Sequence, residues 1–323
     1  MNYPLLPPAT HGGTETNDEC ILDFSVNTNP LGPNPALVQL WQTTDPSAYP
    51  DPHYHKARQA LADDHGYPVA GVVLGVGASE LLHRLVRVFT PPGGRVATLG
   101  APFGEVARAV ALQRAHLQQF PRTPAALQTT QANLVYLSNP HSPTGDYLDL
   151  EPIHFGRLAA PVIVDEAYLP FLAQPVALPC QPNLIRLCSP GKAHGLLGVR
   201  MAYALCHPAL AAHLINLQPA WALPTATAAL LAALPEQHGF LAQTLPHVRA
   251  WAQQLAQALG VPATGLHFFT LSVGDATAVA AALHQRGIRV RDCTSFGYPD
   301  RLRVATRLPP ENQRLVNAWH QVR

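Results

Sequence analysis

The stretch VIVDEAYLPF (162–171) decides how this chain is read. It is apolar as far as Val164, as expected of a strand buried on both faces. It then ends in Asp165 and Glu166, with Tyr168 three residues beyond the aspartate. In a parallel α/β sheet, functional side chains gather just past the carboxyl ends of the strands. An acid at a strand end is also common punctuation, so the segment gains meaning only from what stands at the neighbouring strand ends.

Outward from it, short apolar runs alternate with amphipathic stretches, which is the α/β pattern. Strands are predicted at VVLGV (72–76), RVATLG (95–100), LVYLSN (134–139), PVIVDEA (161–167), LIRLC (184–188) and VRMAYAL (199–205). Helical patterns fall between them at 78–89 and 105–115. After about residue 207 the texture changes to a long Ala/Leu-rich helical region, 208–258, expected to break at Pro219, Pro224, Pro235 and Pro246. LHFFTLSV (266–273), a helix near 276–286, IRVRD (288–292), LRVATR (302–307) and a last helix from about 310 complete a smaller α+β unit. The organisation expected is an N-terminal arm (1–34), a large domain with a mostly parallel sheet between helices (35–207), and a helical connector with a small C-terminal domain (208–323).

Composition excludes several classes. Apolar residues make up 47% and charged residues 13%, the latter against roughly 25% in an average soluble domain, so the chain has material for a core. A net charge of +1 provides no basic field for nucleic acid. No window approaches the roughly 18 apolar residues of a membrane span, and the first residues lack the pattern of a signal peptide. Five cysteines without CxxC spacing read as reduced thiols of a cytoplasmic protein. No metal site is expected: His53 and His55, one residue apart at a helix start, are expected to point to different sides.

Three further strand ends carry chemistry. LSNPHSPTGDY (137–147) turns sharply at Pro-Thr-Gly. GVGASELL (75–82) enters a helix through a glycine turn, where unpaired backbone N–H groups and the helix dipole favour a phosphate. CSPGKAHGLLGVR (188–200) sets Lys192 between Ser189 and Arg200, two groups suited to phosphate oxygens. A phosphate cradle, an aspartate, a tyrosine and an amine on one sheet edge are what pyridoxal phosphate requires.

In order, GASE (77–80), SPTG (142–145), DEAY (165–168), Ser189-x-x-Lys192 with Arg200 eight residues on, and LRVATR (302–307) resemble the fold type I aminotransferase superfamily of class I/II along nearly the whole chain. Within it, HGG (11–13), DFSVNTNPLG (23–32), YPDPHY (49–54) and RVATR…ENQR (303–314) look most similar to threonine-phosphate decarboxylases of cobalamin biosynthesis, which are relatives of histidinol-phosphate aminotransferases. The resemblance implies pyridoxal 5'-phosphate held by Lys192 as a Schiff base, with Asp165 at the pyridine nitrogen and Tyr168 at the phenolic oxygen. It implies Phe103 stacked on the ring, and Ala78, Ser79, Ser189 and Arg200 at the phosphate. Tyr49 would reach that phosphate from the partner subunit of a homodimer. Arg303 would pair with a substrate carboxylate, Arg314 would be a second substrate contact, and His11, Asn27 and Asn29 would lie over a phosphorylated amino-acid substrate. Ser142 stands where this superfamily usually has an asparagine donating to the phenolic oxygen. With its shorter stem it is expected to reach that oxygen only through water.

The bond that breaks at Cα depends on geometry that a sequence does not display. The N-terminal segments favour decarboxylation of O-phospho-L-threonine to aminopropanol phosphate. The alternative is transamination of the histidinol-phosphate type, and from another class a homologue that binds the cofactor without turnover.

Overall fold

The computed structural model describes residues 4–9, 11–13 and 21–322. Seven strands form the large sheet: β2 (Val72–Val76), β3 (Arg95–Leu99), β4 (His116–Phe120), β5 (Leu134–Ser138), β6 (Val162–Asp165), β7 (Leu184–Cys188) and β8 (Met201–Cys206). Their order is β2-β8-β7-β6-β5-β3-β4, parallel throughout except that β8 runs against both of its neighbours. The four strands from β5 to β8 are buried at every residue, because helices cover both faces. On one face α3 (Gly77–Phe89), α4 (Gly104–Leu112) and α6 (Pro208–Asn216) bring Leu81, Leu85, Val106 and Leu214 onto Val73, Ile163 and Ile185. On the other, α1 (Pro35–Thr43), α2 (His55–His65) and α7 (Thr225–Ala233) pack Leu37, Leu61 and Leu230 against Leu74 and Tyr203. The short α5 (Pro124–Thr129) puts Leu127 with Phe155 beside Leu99 and Val164.

A second unit holds the antiparallel sheet β11-β12-β9, made of β9 (Phe268–Ser272), β11 (Arg291–Asp292) and β12 (Arg301–Ala305). β1 (Leu22–Asp23) pairs in parallel with β10 (Ile288–Arg289). Helices α8 (His238–Ala258), α9 (Ala276–His284) and α10 (Pro309–Val322) close this core, in which Phe24 packs with Leu255, Phe269, Leu302 and Trp319. The N-terminal segment is therefore bound into the second unit, where Ala305 N–H donates to Phe24 O at 2.9 Å.

The structure departs from the sequence expectations in four places. IRVRD is two short strands in different sheets, divided at the buried Val290. Pro246 sits inside α8 and does not end it; the helix goes on with one backbone donor fewer. β4, HLQQF, had no apolar signature because it is the sheet's edge and almost wholly exposed. His53 and His55 bring their rings to 5.4 Å in an edge-on contact, because Tyr54 between them takes a left-handed φ of 51°.

Candidate active site

Along the sheet the chain steps from β3 outward to β4 and then back across β3 to β5. This makes a switch point, beside which a crevice opens at the strands' carboxyl ends. A cavity of about 370 Å³ lies there. Its lining draws on the ends of β2, β5, β6 and β7 and is completed by Ser25–Asn27 and by Arg291, Phe296 and Arg303 from the second unit.

Asp165 ends β6 because the chain turns there: the Ala167 N–H donates back to Asp165 Oδ1 at 3.1 Å. The Tyr136 hydroxyl, from the adjacent β5, donates to Oδ2 at 3.0 Å. Both carboxylate oxygens are thus held, and the group is almost fully buried. Burial pushes the Asp165 carboxyl above the ordinary carboxylate range, against the pull of the Lys192 charge and the two hydrogen bonds. Burial and the nearby Asp165 charge push the Tyr136 hydroxyl well up, so it remains a donor. The sequence holds two lysines. Lys56 is exposed on α2, whereas Lys192 lines the cavity with its Nζ 5.5 Å from the centre of the Tyr168 ring. The turn carrying Lys192 is pinned to the N-terminal segment by two donors to the Lys192 carbonyl oxygen, the Asn29 N–H at 3.0 Å and the Thr28 hydroxyl at 3.1 Å.

Also in the lining is Gly77, where α3 starts and whose φ is 80°. A Cβ built on Gly77 would meet Arg200 Nη2 at 2.5 Å, so only glycine lets the guanidinium lie against the helix start. Arg200 itself holds a left-handed φ of 59°, a strained conformation of a kind that collects at ligand sites. Ser189 Oγ is buried with no hydrogen-bond partner among the described residues. An orphaned hydroxyl, a guanidinium and the open N–H groups at Ala78 and Ser79 all line one cavity, and together they fit a phosphate ester. With Lys192 in reach of an aldehyde and Asp165 buried among donors, the residues fit pyridoxal phosphate.

Arg303, on β12, crosses to the large sheet: Nη1 donates to Ser142 Oγ at 2.8 Å and Nη2 to Ser25 O at 2.6 Å. Ser142 therefore faces the arginine as well as the cavity. Phe103 lines the cavity just before α4, with the His11 ring 5.1 Å from it, and both side-chain polar atoms of Asn27 are buried at the wall with no partner among the described residues.

Three of the expected residues are not brought together with these. Asn29 is buried outside the lining, where its amide donates to Ala193 O at 3.0 Å and braces the turn bearing Lys192. Arg314 is exposed on α10, away from the lining. Tyr49 is 79% exposed and lies against Trp221, with ring centres 4.6 Å apart.

Of the lining residues not anticipated, two bear directly on the chemistry of the site. One is Tyr136, in the interior of an apolar strand. The other is Arg291, whose Nη2 donates to Ser295 Oγ at 2.7 Å and whose guanidinium lies over Phe296. The alternating Arg289 and Arg291 of IRVRD were the available signal for the latter. Among the described residues no His/Cys/Asp/Glu group forms a metal site and no helix is long and apolar enough to cross a membrane. Cys180, Cys188, Cys206 and Cys293 are free thiols, and Cys20 lies outside the described residues.

The comparisons with known proteins agree on one family. The sequence profile of the class I and II aminotransferases matches residues 20–318. Histidinol-phosphate aminotransferase 2 of Ralstonia nicotianae is 31% identical, over 92% of this chain and 87% of its own length. Its namesake in Pseudomonas fluorescens is 32% identical, over 94% of this chain and 89% of its own. Among solved structures, histidinol-phosphate aminotransferase from Sinorhizobium meliloti in complex with pyridoxal-5'-phosphate superposes with a TM-score of 0.81 at 25% identity, covering 92% of this chain and 89% of that one. L-threonine-O-3-phosphate decarboxylase from Porphyromonas gingivalis shares the fold, with a TM-score of 0.81 at 18% identity over 92% of this chain and 98% of that one. This chain belongs to the class I and II aminotransferases, fold type I enzymes that work with pyridoxal 5'-phosphate.

Proposed function

We propose that the chain transfers the amino group of a small phosphorylated amine of the histidinol-phosphate type to a keto acid. The observation that carries this reading is that relatives matching more than nine-tenths of the chain at about three-tenths identity bear the name histidinol-phosphate aminotransferase. The cavity agrees with it, because Arg291 and Arg303 line the same cavity as Lys192, and two guanidinium groups suit an anionic substrate.

The bound cofactor supplies an aldehyde for an amine and a ring that draws electrons from the substrate's α-carbon. In this reading Lys192 would hold that aldehyde, and its amine would move the proton at the substrate's α-carbon. Asp165, oriented by Tyr136, would serve the pyridine nitrogen, and Tyr168 and Ser142 would serve the phenolic oxygen. Ser189, Arg200 and the N–H groups of Ala78 and Ser79 would bind the phosphate, and Phe103 would stack on the ring. Arg303 and Arg291 bind the substrate's anionic end, with His11 and Asn27 at the remaining wall. Tyr49 would complete the phosphate site of a second copy in a homodimer. Residues 35–207 would form the cofactor domain, with 1–34 and 208–323 supplying the cover.

Decarboxylation of O-phospho-L-threonine is the second reading. It is supported by the HGG segment, whose His11 lines the cavity against Phe103. The purified holoenzyme, given histidinol phosphate and 2-oxoglutarate, should form glutamate. Release of CO₂ from O-phospho-L-threonine without amino transfer would replace this reading by the second. Inertness to both substrates would leave a protein that binds the cofactor without turnover.

A further inference from the structure

The arm that carries His11 is fastened to the helices of the large sheet. His11 Nε2 lies 3.1 Å from Glu105 Oε1, and Glu105 Oε2 lies 2.8 Å from His83 Nε2. Glu105 stands in the first turn of α4 and His83 on α3, so one carboxylate joins two helices and the arm. α4 holds the arm a second time, through Arg108 Nε, which donates to Pro7 O at 3.2 Å. Beyond His11 the arm meets the 23–29 segment: the Gly13 N–H donates to Ser25 Oγ at 3.0 Å, and a Cβ on Gly12 would come within 2.6 Å of Ser25 O. Ser25 O is also the acceptor of Arg303 Nη2. The arm thus runs from α4, over Phe103, to the backbone that steadies the substrate-side arginine.

An acid in a helix's first turn is favourable by itself, through the helix dipole. That role calls for no imidazole, and here each carboxylate oxygen has one. Burial pushes the Glu105 carboxyl up, but the hydrogen bonds and charges of His83 and His11 outweigh it, and the group lies below the ordinary carboxylate value. The bridge therefore keeps its negative charge while it holds the arm.

We propose that Glu105 is a positioning residue for substrate binding, fastening the N-terminal arm over the cavity by holding His11 against Phe103 while His83 keeps its carboxylate turned toward the arm. The proposal rests on the reading of His11 as a substrate-side residue. Glu105 is not among the residues lining the cavity, and it acts through His11, which is.

The test uses the holoenzyme and its Glu105→Ala, Glu105→Gln, His83→Ala and His11→Ala variants. Dissociation constants for histidinol phosphate and O-phospho-L-threonine are read from the absorbance of the bound cofactor, beside KM and kcat for whichever is turned over. Hydrogen exchange of the arm amides is followed without substrate. Glu105→Ala should raise the dissociation constant and KM about tenfold, as expected for a lost charge-assisted hydrogen bond, and leave kcat within about twofold. The arm should exchange faster, and adding His11→Ala should weaken binding no further. Glu105→Gln, which keeps an acceptor for one imidazole, should recover most of the affinity. If Glu105→Ala melts early, His83→Ala should still show a smaller shift of the same kind. Unchanged binding and arm exchange in Glu105→Ala, or additive effects in the double variant, would overturn the proposal. A wild-type protein that answers neither ligand refutes the functional reading instead, and arm exchange then decides the role of Glu105.

Discussion

Gly77→Ala separates what the phosphate cradle does for the fold from what it does for the cofactor. The new methyl group meets Arg200 Nη2 at 2.5 Å and Cζ at 2.9 Å. The guanidinium ends a flexible side chain, so it can swing away and spare the fold a direct clash. What remains for the fold is the φ of 80°, which costs an alanine about 1–2 kcal/mol. Swinging away takes Arg200 off the phosphate, however, and a hydrogen bond to a charged group contributes about 1.5–3 kcal/mol. Affinity for pyridoxal phosphate should therefore fall about 10- to 100-fold, while the cofactor-free protein melts only slightly early. Titration of the stripped protein with cofactor, followed by tryptophan fluorescence, measures the first effect, and denaturant unfolding measures the second. Arg200→Ala should lose a similar amount, and the double variant no more than either alone. Undiminished cofactor affinity in Gly77→Ala would refute the placement of Arg200 at the phosphate.

Two other outcomes follow from the buried polar groups. Tyr136→Phe leaves Asp165 Oδ2 without its donor, which should cost about 1–3 kcal/mol by denaturant unfolding and shift the visible spectrum of bound cofactor with pH. An unmoved spectrum would mean that Asp165 does not need orienting. Burial, helped by the Arg122 charge, holds His141 down at about 4, below its ordinary 6.5. The unfolded chain therefore binds the extra proton between those values, and stability falls as pH drops through that window. The raised carboxyls of Asp165 and Glu166 act in the opposite sense, so the measurement is a difference. His141→Asn should remove about 2 kcal/mol of the stability lost between pH 7 and 5. An unchanged pH slope contradicts the buried neutral imidazole.

The sheet was legible in the sequence because its strands are buried on both faces and so read as unbroken apolar runs. β4 was not, since an edge strand with one partner carries no such run. IRVRD looked continuous because its alternation is continuous, and only the pairing of its halves with different neighbours divides it. Lys192, Asp165, Tyr168, Ser189 and Arg200, which line one cavity, were legible because they stand at or near strand ends in a recognisable order. Tyr136 and Arg291 were missed because a strand-interior tyrosine and an arginine in a charged run look like core and surface. Asn29 shows the converse: the motif marks an asparagine, and only the fold shows its amide bracing the lysine turn. Glu105 had no signal beyond its place in a helix's first turn, since its partners lie 22 and 94 residues away.

The central claim is that Lys192 holds the cofactor in this cavity, and a chain with two lysines makes the test nearly binary. Borohydride reduction of the holoenzyme, followed by digestion and mass spectrometry, should place the pyridoxyl label on Lys192 alone, and Lys192→Ala should take no label. Label on the exposed Lys56, or label retained by Lys192→Ala, would contradict the account.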